Sequence, residues 1–446
     1  MDYTPHTEED VATMLATLGL EHVSDLYQPI PESLRLKTLD LPAGITELEA
    51  TQLVDSIAAK TARSAPEVSF LGAGAYDHFA PSVVDAMISR GEFFTAYTPY
   101  QPEVSQGTLR VIFEFQTMMC ELTGMEVANA SMYDGSSALA EAVMMAVRIR
   151  SADRVILPRS LHPFYRQVVE TYTTGIGLEI VTAPWTADGT LDLDWLAAEA
   201  NDRTTAVVVQ NPNFLGVLEP LEQIGAILAD RAPSFIAAVN PLTLGLIEPP
   251  GSYGADIVVG EGQPLGLPLS FGGPYVGFFA TRQEHVRRMP GRIVGQTKDL
   301  NGKRAYVLTL KTREQDIRRE KATSNICTNQ TLCATAVTVY LSALGPEGLA
   351  EVGKVNWSRS HAARDGLAGL DGVSIPFTGP FFNEFVWKTS RPAAEVLETV
   401  AASGVSAGVD LGMLDPDMSN CILTCVTEKR SPDDVARLVE AVKEAI

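Results

Sequence analysis

From about residue 69 to residue 280, short apolar runs alternate with amphipathic stretches. The runs at 127–130, 155–157, 178–181, 206–209, 235–239, 257–259 and 276–279 are strand-length and rich in Val, Ile and Phe. Between them, 135–150, 163–172, 193–199 and 221–230 repeat apolar residues at helical spacing. Strands that are apolar throughout, separated by helices, predict a mostly parallel sheet covered on both faces. Before this region, Thr7 caps a predicted helix to about Leu18 that Gly19 ends, and a second amphipathic helix spans 46–62. A long helical pattern runs from 312 to 343 and breaks at Gly345-Pro346. After it, strands at 373–375, 384–387, 405–408 and 421–426 mix with helices at 391–401 and 431–444. The expected organisation is an N-terminal helical arm (1–65), a large α/β domain (66–325) and a small C-terminal α+β domain (326–446).

Composition narrows the class. The chain has 446 residues, 46% of them hydrophobic, enough for a large core. Its net charge of −21 disfavours nucleic-acid binding, which needs Lys and Arg against phosphate. No apolar run is long enough to suggest a bilayer span, and the acidic, polar start lacks the marks of a secretory signal. The five cysteines, Cys120, Cys327, Cys333, Cys421 and Cys425, are odd in number and form no C-x-x-C pair. Reduced thiols in a cytoplasmic protein are expected, with no metal site. One local imbalance stands out: 282–321 holds twelve Lys/Arg against five Asp/Glu. It reads either as a solvated surface or as a positive rim for an anionic ligand or acidic partner.

Candidate chemistry gathers at strand ends, where parallel sheets bind ligands. The stretch Thr95–Leu109 is dense in hydroxyls and amides and stiffened by Pro99 and Pro102. Tyr97, Thr98, Tyr100, Gln101, Ser105, Gln106 and Gly107 could line a polar site, with Ser105 capping the next helix, or the segment is a structural loop. Tyr133-Asp134-Gly135-Ser136-Ser137 opens a helix whose first amides could hold a phosphate, although an acidic cap opposes one. His162 follows a strand and could stack on a flat ring or transfer protons, or simply start a helix. Gln210-Asn211-Pro212-Asn213 offers amides at the same edge. Finally, the strand 257–259, the turn Glu261-Gly262-Gln263-Pro264 and the run Ser270-Phe271-Gly272-Gly273-Pro274 have the layout in which many pyridoxal phosphate (PLP) enzymes hold their Schiff-base lysine. No lysine occurs between Lys60 and Lys298.

Five segments carry a resemblance. Residues 97–107, 133–137, 260–264, 270–274 and 318–330 (Arg-Arg-Glu-Lys-Ala-Thr-Ser-Asn-Ile-Cys-Thr-Asn-Gln) resemble the α subunits of two-chain glycine decarboxylases, the P-proteins of the glycine cleavage system. That resemblance implies a fold-type-I (aspartate aminotransferase-like) architecture and an α2β2 heterotetramer in which the β subunit carries PLP. It also implies the reaction: glycine on PLP loses CO2, and the aminomethyl group passes to the lipoyl arm of H-protein. The lysine would align near Gln263-Pro264 and the aspartate facing the pyridine nitrogen near Ala237. Tyr97, Tyr100 and Gln101 would then contribute to the partner's site. The competing readings are a free-standing PLP aminotransferase or decarboxylase, and a non-catalytic scaffold that stabilises β.

Overall fold

The computed structural model describes residues 5–36, 38–62, 66–229 and 231–446. The chain divides into two units, 1–65 and 66–446. In the first, Glu8–Leu18 is a helix with Thr7 and Asp10 in a capping box and Gly19 as a left-handed C-cap. Glu47–Ala62 is the second helix. Leu15 is the first unit's one buried large hydrophobic among the described residues, while Leu18, Leu26, Leu36, Leu48, Leu53 and Ile57 are exposed.

The second unit is built on a seven-stranded sheet. Its strands are β1 (Val127–Ala128), β2 (Arg154–Pro158), β3 (Glu179–Ala183), β4 (Thr204–Asn211), β5 (Ser234–Val239), β6 (Ile257–Glu261) and β7 (Gly277–Thr281). They lie in the order β1-β7-β6-β5-β4-β2-β3. β7 runs antiparallel to both neighbours, and all other pairings are parallel. Alternation splits the strand residues between two cores. Ile156, Val207, Val209, Ala237 and Val258 meet the helices Gln106–Thr123 and Thr331–Ala368. Val155, Leu157, Val208, Ala238 and Val259 meet Gly135–Ile149 and Pro163–Thr174.

The C-terminal part holds a four-stranded antiparallel sheet of Val373–Ser374, Glu384–Thr389, Cys421–Cys425 and Val409–Asp410. Val68–Ser69, far earlier in the chain, pairs in parallel with Val405–Ser406, and Phe70 packs in this same core.

One expectation needs correction. The long helix begins at Thr331, not near 312; residues 311–321 form short turns around buried Arg313, whose guanidinium bonds the carbonyls of Met289, Gly291 and Leu310. The expected break is there: the run is kinked at Gly345, which is non-helical (φ 64°, ψ −177°), and continues as a second helical stretch to Ala368. By length and composition it could cross a membrane, but half of its most apolar stretch is buried within the fold, as in a core helix. A hairpin the apolar pattern did not suggest joins Ile293–Lys298 to Arg304–Thr309. Gln116 and Gln106 dock it: each side-chain amide bonds both backbone groups of one hairpin residue, Val294 and Tyr306 respectively, at 2.9–3.0 Å.

Candidate active site

The C-terminal ends of β2, β4, β5 and β6 converge on a cavity, where the doubly wound layout places ligands. Its walls include Gly74, Tyr76, His162, Tyr165, Gln210, Asn240, Glu261, Pro264 and Glu384. The cavity measures about 40 Å³. That admits a few waters and falls far short of the roughly 300 Å³ of a typical cofactor pocket.

The polar side chains at and beside the cavity are bonded to the chain itself. Gln263 is fully buried; its amide nitrogen donates to the carbonyls of Tyr76 and Leu267, both at 2.8 Å, and its oxygen accepts from the Tyr76 amide at 2.9 Å. Glu384 accepts from the Ala73 amide at 2.7 Å and the Tyr76 hydroxyl at 2.8 Å, and burial raises its pKa. His162 caps its helix: Nδ1 accepts from the Phe164 amide at 3.1 Å, so Nε2 carries the proton and donates to the Ala73 carbonyl at 2.9 Å. Its ring stacks on Tyr165, centroids 4.9 Å apart, and burial holds its pKa below the ordinary histidine value.

Glu261 was not singled out from the sequence, yet it decides the electrostatics. Its Oε2 accepts from the Gly135 amide at 2.9 Å, and its Oε1 from the Gln263 and Val276 amides at 3.0 and 3.1 Å. A carboxylate of the chain thus occupies the start of helix Gly135–Ile149, the place an external anion would take. Asp134 holds the next amides in a capping box with Ser137, and Ser136 donates to Asp134 at 2.7 Å. Burial outweighs the three N–H bonds and pushes the Glu261 pKa up to about 7. Gly135 is obligatory here, since a Cβ would lie 2.2 Å from the Tyr165 hydroxyl.

These residues do not fit a resident PLP. There is no amine at the strand end, the Glu261 carboxyl already takes the first amide of helix Gly135–Ile149, and the room for a ring is missing. The expected alignment at Ala237 is off the cavity: Ala237 faces the opposite core, and Ala238 and Asn240 line the cavity instead. Asn240 accepts from the Leu242 amide at 3.1 Å.

Of the other expected residues, none of Tyr97, Thr98, Tyr100, Gln101, Ser105, Gln106 and Gly107 lines this cavity. Tyr97 and Tyr100 stand 77% and 49% exposed. Ser105 occupies the N-cap position of Gln106–Thr123, but its side chain makes no capping bond, contrary to expectation. Gln106 is committed to Pro102 and Tyr306. Tyr133 accepts from the Cys327 amide at 3.3 Å. The motif segments therefore connect in a chain: 260–264 meets 133–137 through Glu261, 133–137 meets 327–329 through Tyr133, and 327–329 meets 97–101 through Arg292, which donates to Tyr100 Oη at 3.0 Å. Among the described residues no three His, Cys, Asp or Glu side chains cluster as a metal site would need.

Comparison with known proteins settles the family. The model of the glycine cleavage system P-protein family matches residues 1–442. The chain belongs to that family. It is 47% identical over its whole length to the "Probable glycine dehydrogenase (decarboxylating) subunit 1" of Desulfitobacterium hafniense, which it also covers completely. It is 49% identical to the protein of the same name from Brevibacillus brevis, over 99% of each chain. A crystal structure of glycine decarboxylase (P-protein) in inhibitor-bound form superposes with a TM-score of 0.91 at 43% identity, covering all of both chains. A sphingosine-1-phosphate lyase from Burkholderia pseudomallei, 14% identical over 93% of this chain and 94% of its own, shares the fold with a TM-score of 0.68. The fold-type-I architecture and the P-protein subunit 1 assignment inferred from the motifs agree with these comparisons.

Proposed function

We propose that this chain is the subunit of a glycine decarboxylase that does not carry PLP, and that it works by completing the site of a homologous partner that does. The observation that supports this reading is the small cavity without a lysine: Pro264 lines it, Gln263 is buried in bonds to Tyr76 and Leu267, and the Glu261 carboxyl takes the first amide of helix Gly135–Ile149. In the proposed α2β2 assembly, partner-bound PLP supplies the decarboxylation of glycine, and the lipoyl arm of H-protein accepts the aminomethyl group. This chain contributes the exposed 97–107 loop, with Tyr97, Tyr100 and Gln101 shaping the glycine and lipoyl channel and the amides beyond Ser105 facing the substrate carboxylate or cofactor phosphate. The complex is read as cytoplasmic.

The test is reconstitution. Glycine-dependent CO2 exchange with lipoyl H-protein should require both chains, and Tyr97→Ala with Tyr100→Ala should cut turnover about 10- to 100-fold in a complex that still assembles. Unchanged turnover would remove the loop from the site. Loss of assembly with normal turnover per assembled complex would reduce the chain to a scaffold.

A further inference from the structure

Arg292 precedes the hairpin, and its backbone carbonyl accepts from the Ala130 amide at 2.8 Å, fixing it against the segment that follows β1. The residue is only 4% exposed. A guanidinium that deep needs partners around its whole rim. Both terminal nitrogens find acceptors on two separate segments, and Nε has an ion-pair partner on a third. Nη2 donates to Tyr100 Oη at 3.0 Å and to the Cys327 carbonyl. Nη1 lies 3.3 Å from both Thr98 Oγ1 and Thr328 Oγ1 and 3.5 Å from Asn329 Oδ1. Nε faces Glu314 Oε2 at 3.6 Å. The plane also sits over the Tyr100 ring, 5.3 Å from its centroid. Thr98 and Thr328 touch each other at 3.3 Å, and Asn329 continues the chain of bonds to Ser131 and Ala130.

Two loops far apart in sequence, 98–100 and 327–329, are thus joined through one fork. Few of their own bonds cross the gap. Lysine cannot replace this: one ammonium on a flexible stem cannot present donors along two edges of a plane. We infer that Arg292 is a positioning residue for glycine decarboxylation, holding Thr98 and Tyr100 against Cys327–Asn329 as one rigid wall that the partner's site uses. This rests on the reading that the 97–107 loop reaches that site.

The experiment uses Arg292→Lys and Arg292→Met alongside Tyr100→Ala. Hydrogen exchange on this chain should show faster exchange of the amides at 96–104 in both Arg292 variants, with the helix Gly135–Ile149 unchanged. In the assembled complex with H-protein, kcat should fall by up to about 100-fold while the KM for glycine stays nearly constant, because the wall is misplaced and not removed. Arg292→Lys, which keeps the charge, should fold even if Arg292→Met does not, and should fail to restore kcat. Unchanged exchange at 96–104, or wild-type kcat in Arg292→Lys, overturns the inference. If Tyr100→Ala lowers turnover and the Arg292 variants do not, the clamp is wrong and the loop reading stands. If neither lowers it, the loop reading itself has failed and the clamp falls with it.

Discussion

Glu261 carries a free-energy consequence that titration exposes. Its pKa rises from an ordinary carboxylate value to about 7 because burial penalises the charged form. The folded chain therefore holds a proton that the unfolded chain has already released between pH 4.5 and 7. Stability contributed by this group is fully present below the unfolded pKa and declines as pH rises towards 7, by about 3 kcal/mol in total. Glu219, buried against Leu191, Asn213 and Ser160 and also raised to about 7, adds in the same direction. Urea unfolding at pH 6 and pH 8 should show the lower midpoint at pH 8, with a smaller difference in Glu261→Gln. An equal dependence in that variant would show that the carboxylate is not the titrating group. In the sequence Pro264 was legible at the cavity because it follows the strand end, while Gln263, one residue earlier, is buried in bonds to Tyr76 and Leu267. Ala237 was misplaced because a one-residue error in strand parity moves a side chain to the other core. Glu261 was invisible because an acid after an apolar run reads as a turn.

Helix Gly135–Ile149 shows how an element closes the site. Asp134 accepts from the Ser137 amide at 2.7 Å and Ser137 answers the Asp134 amide at 3.2 Å. Asp134→Ala should cost about 1 kcal/mol in unfolding free energy, the usual worth of a cap, measured by denaturant midpoint. No change would mean Glu261 alone satisfies the helix start. The parallel strands and their helices were legible because burial on both faces leaves near-continuous apolar runs. The hairpin was not, because its support comes from two glutamine side chains and its tip is polar. The basic count over 282–321 also overstates the surface charge, since Arg292 and Arg313 are buried. Lys298, Lys303 and Arg304 at the hairpin remain exposed. Raising salt should increase the KM for H-protein more than that for glycine, and Lys298→Glu with Lys303→Glu should mimic the effect. A salt-insensitive KM would remove the hairpin from docking.

At the scale of the whole molecule, the fold is that of a PLP enzyme and the interior is not. The chain has no lysine at the strand end, the cavity is small and Glu261 takes the first helix amide, so changing one of these leaves the other two. Gln263→Lys alone should remain colourless with added PLP, because the cavity is too small and Glu261 already takes the Gly135 amide; a yellow protein would show that the missing amine was the sole obstacle. The family and fold were legible in five motif segments. The reason for the closure was not, because it depends on contacts such as Tyr76 with Glu384, 308 residues apart. The most direct test of the account is to incubate the purified chain with PLP, reduce with borohydride and analyse the intact protein by mass spectrometry. The account predicts no pyridoxyl adduct on this chain and a full adduct on the partner subunit in the reconstituted complex. A stoichiometric adduct on this chain alone would contradict it.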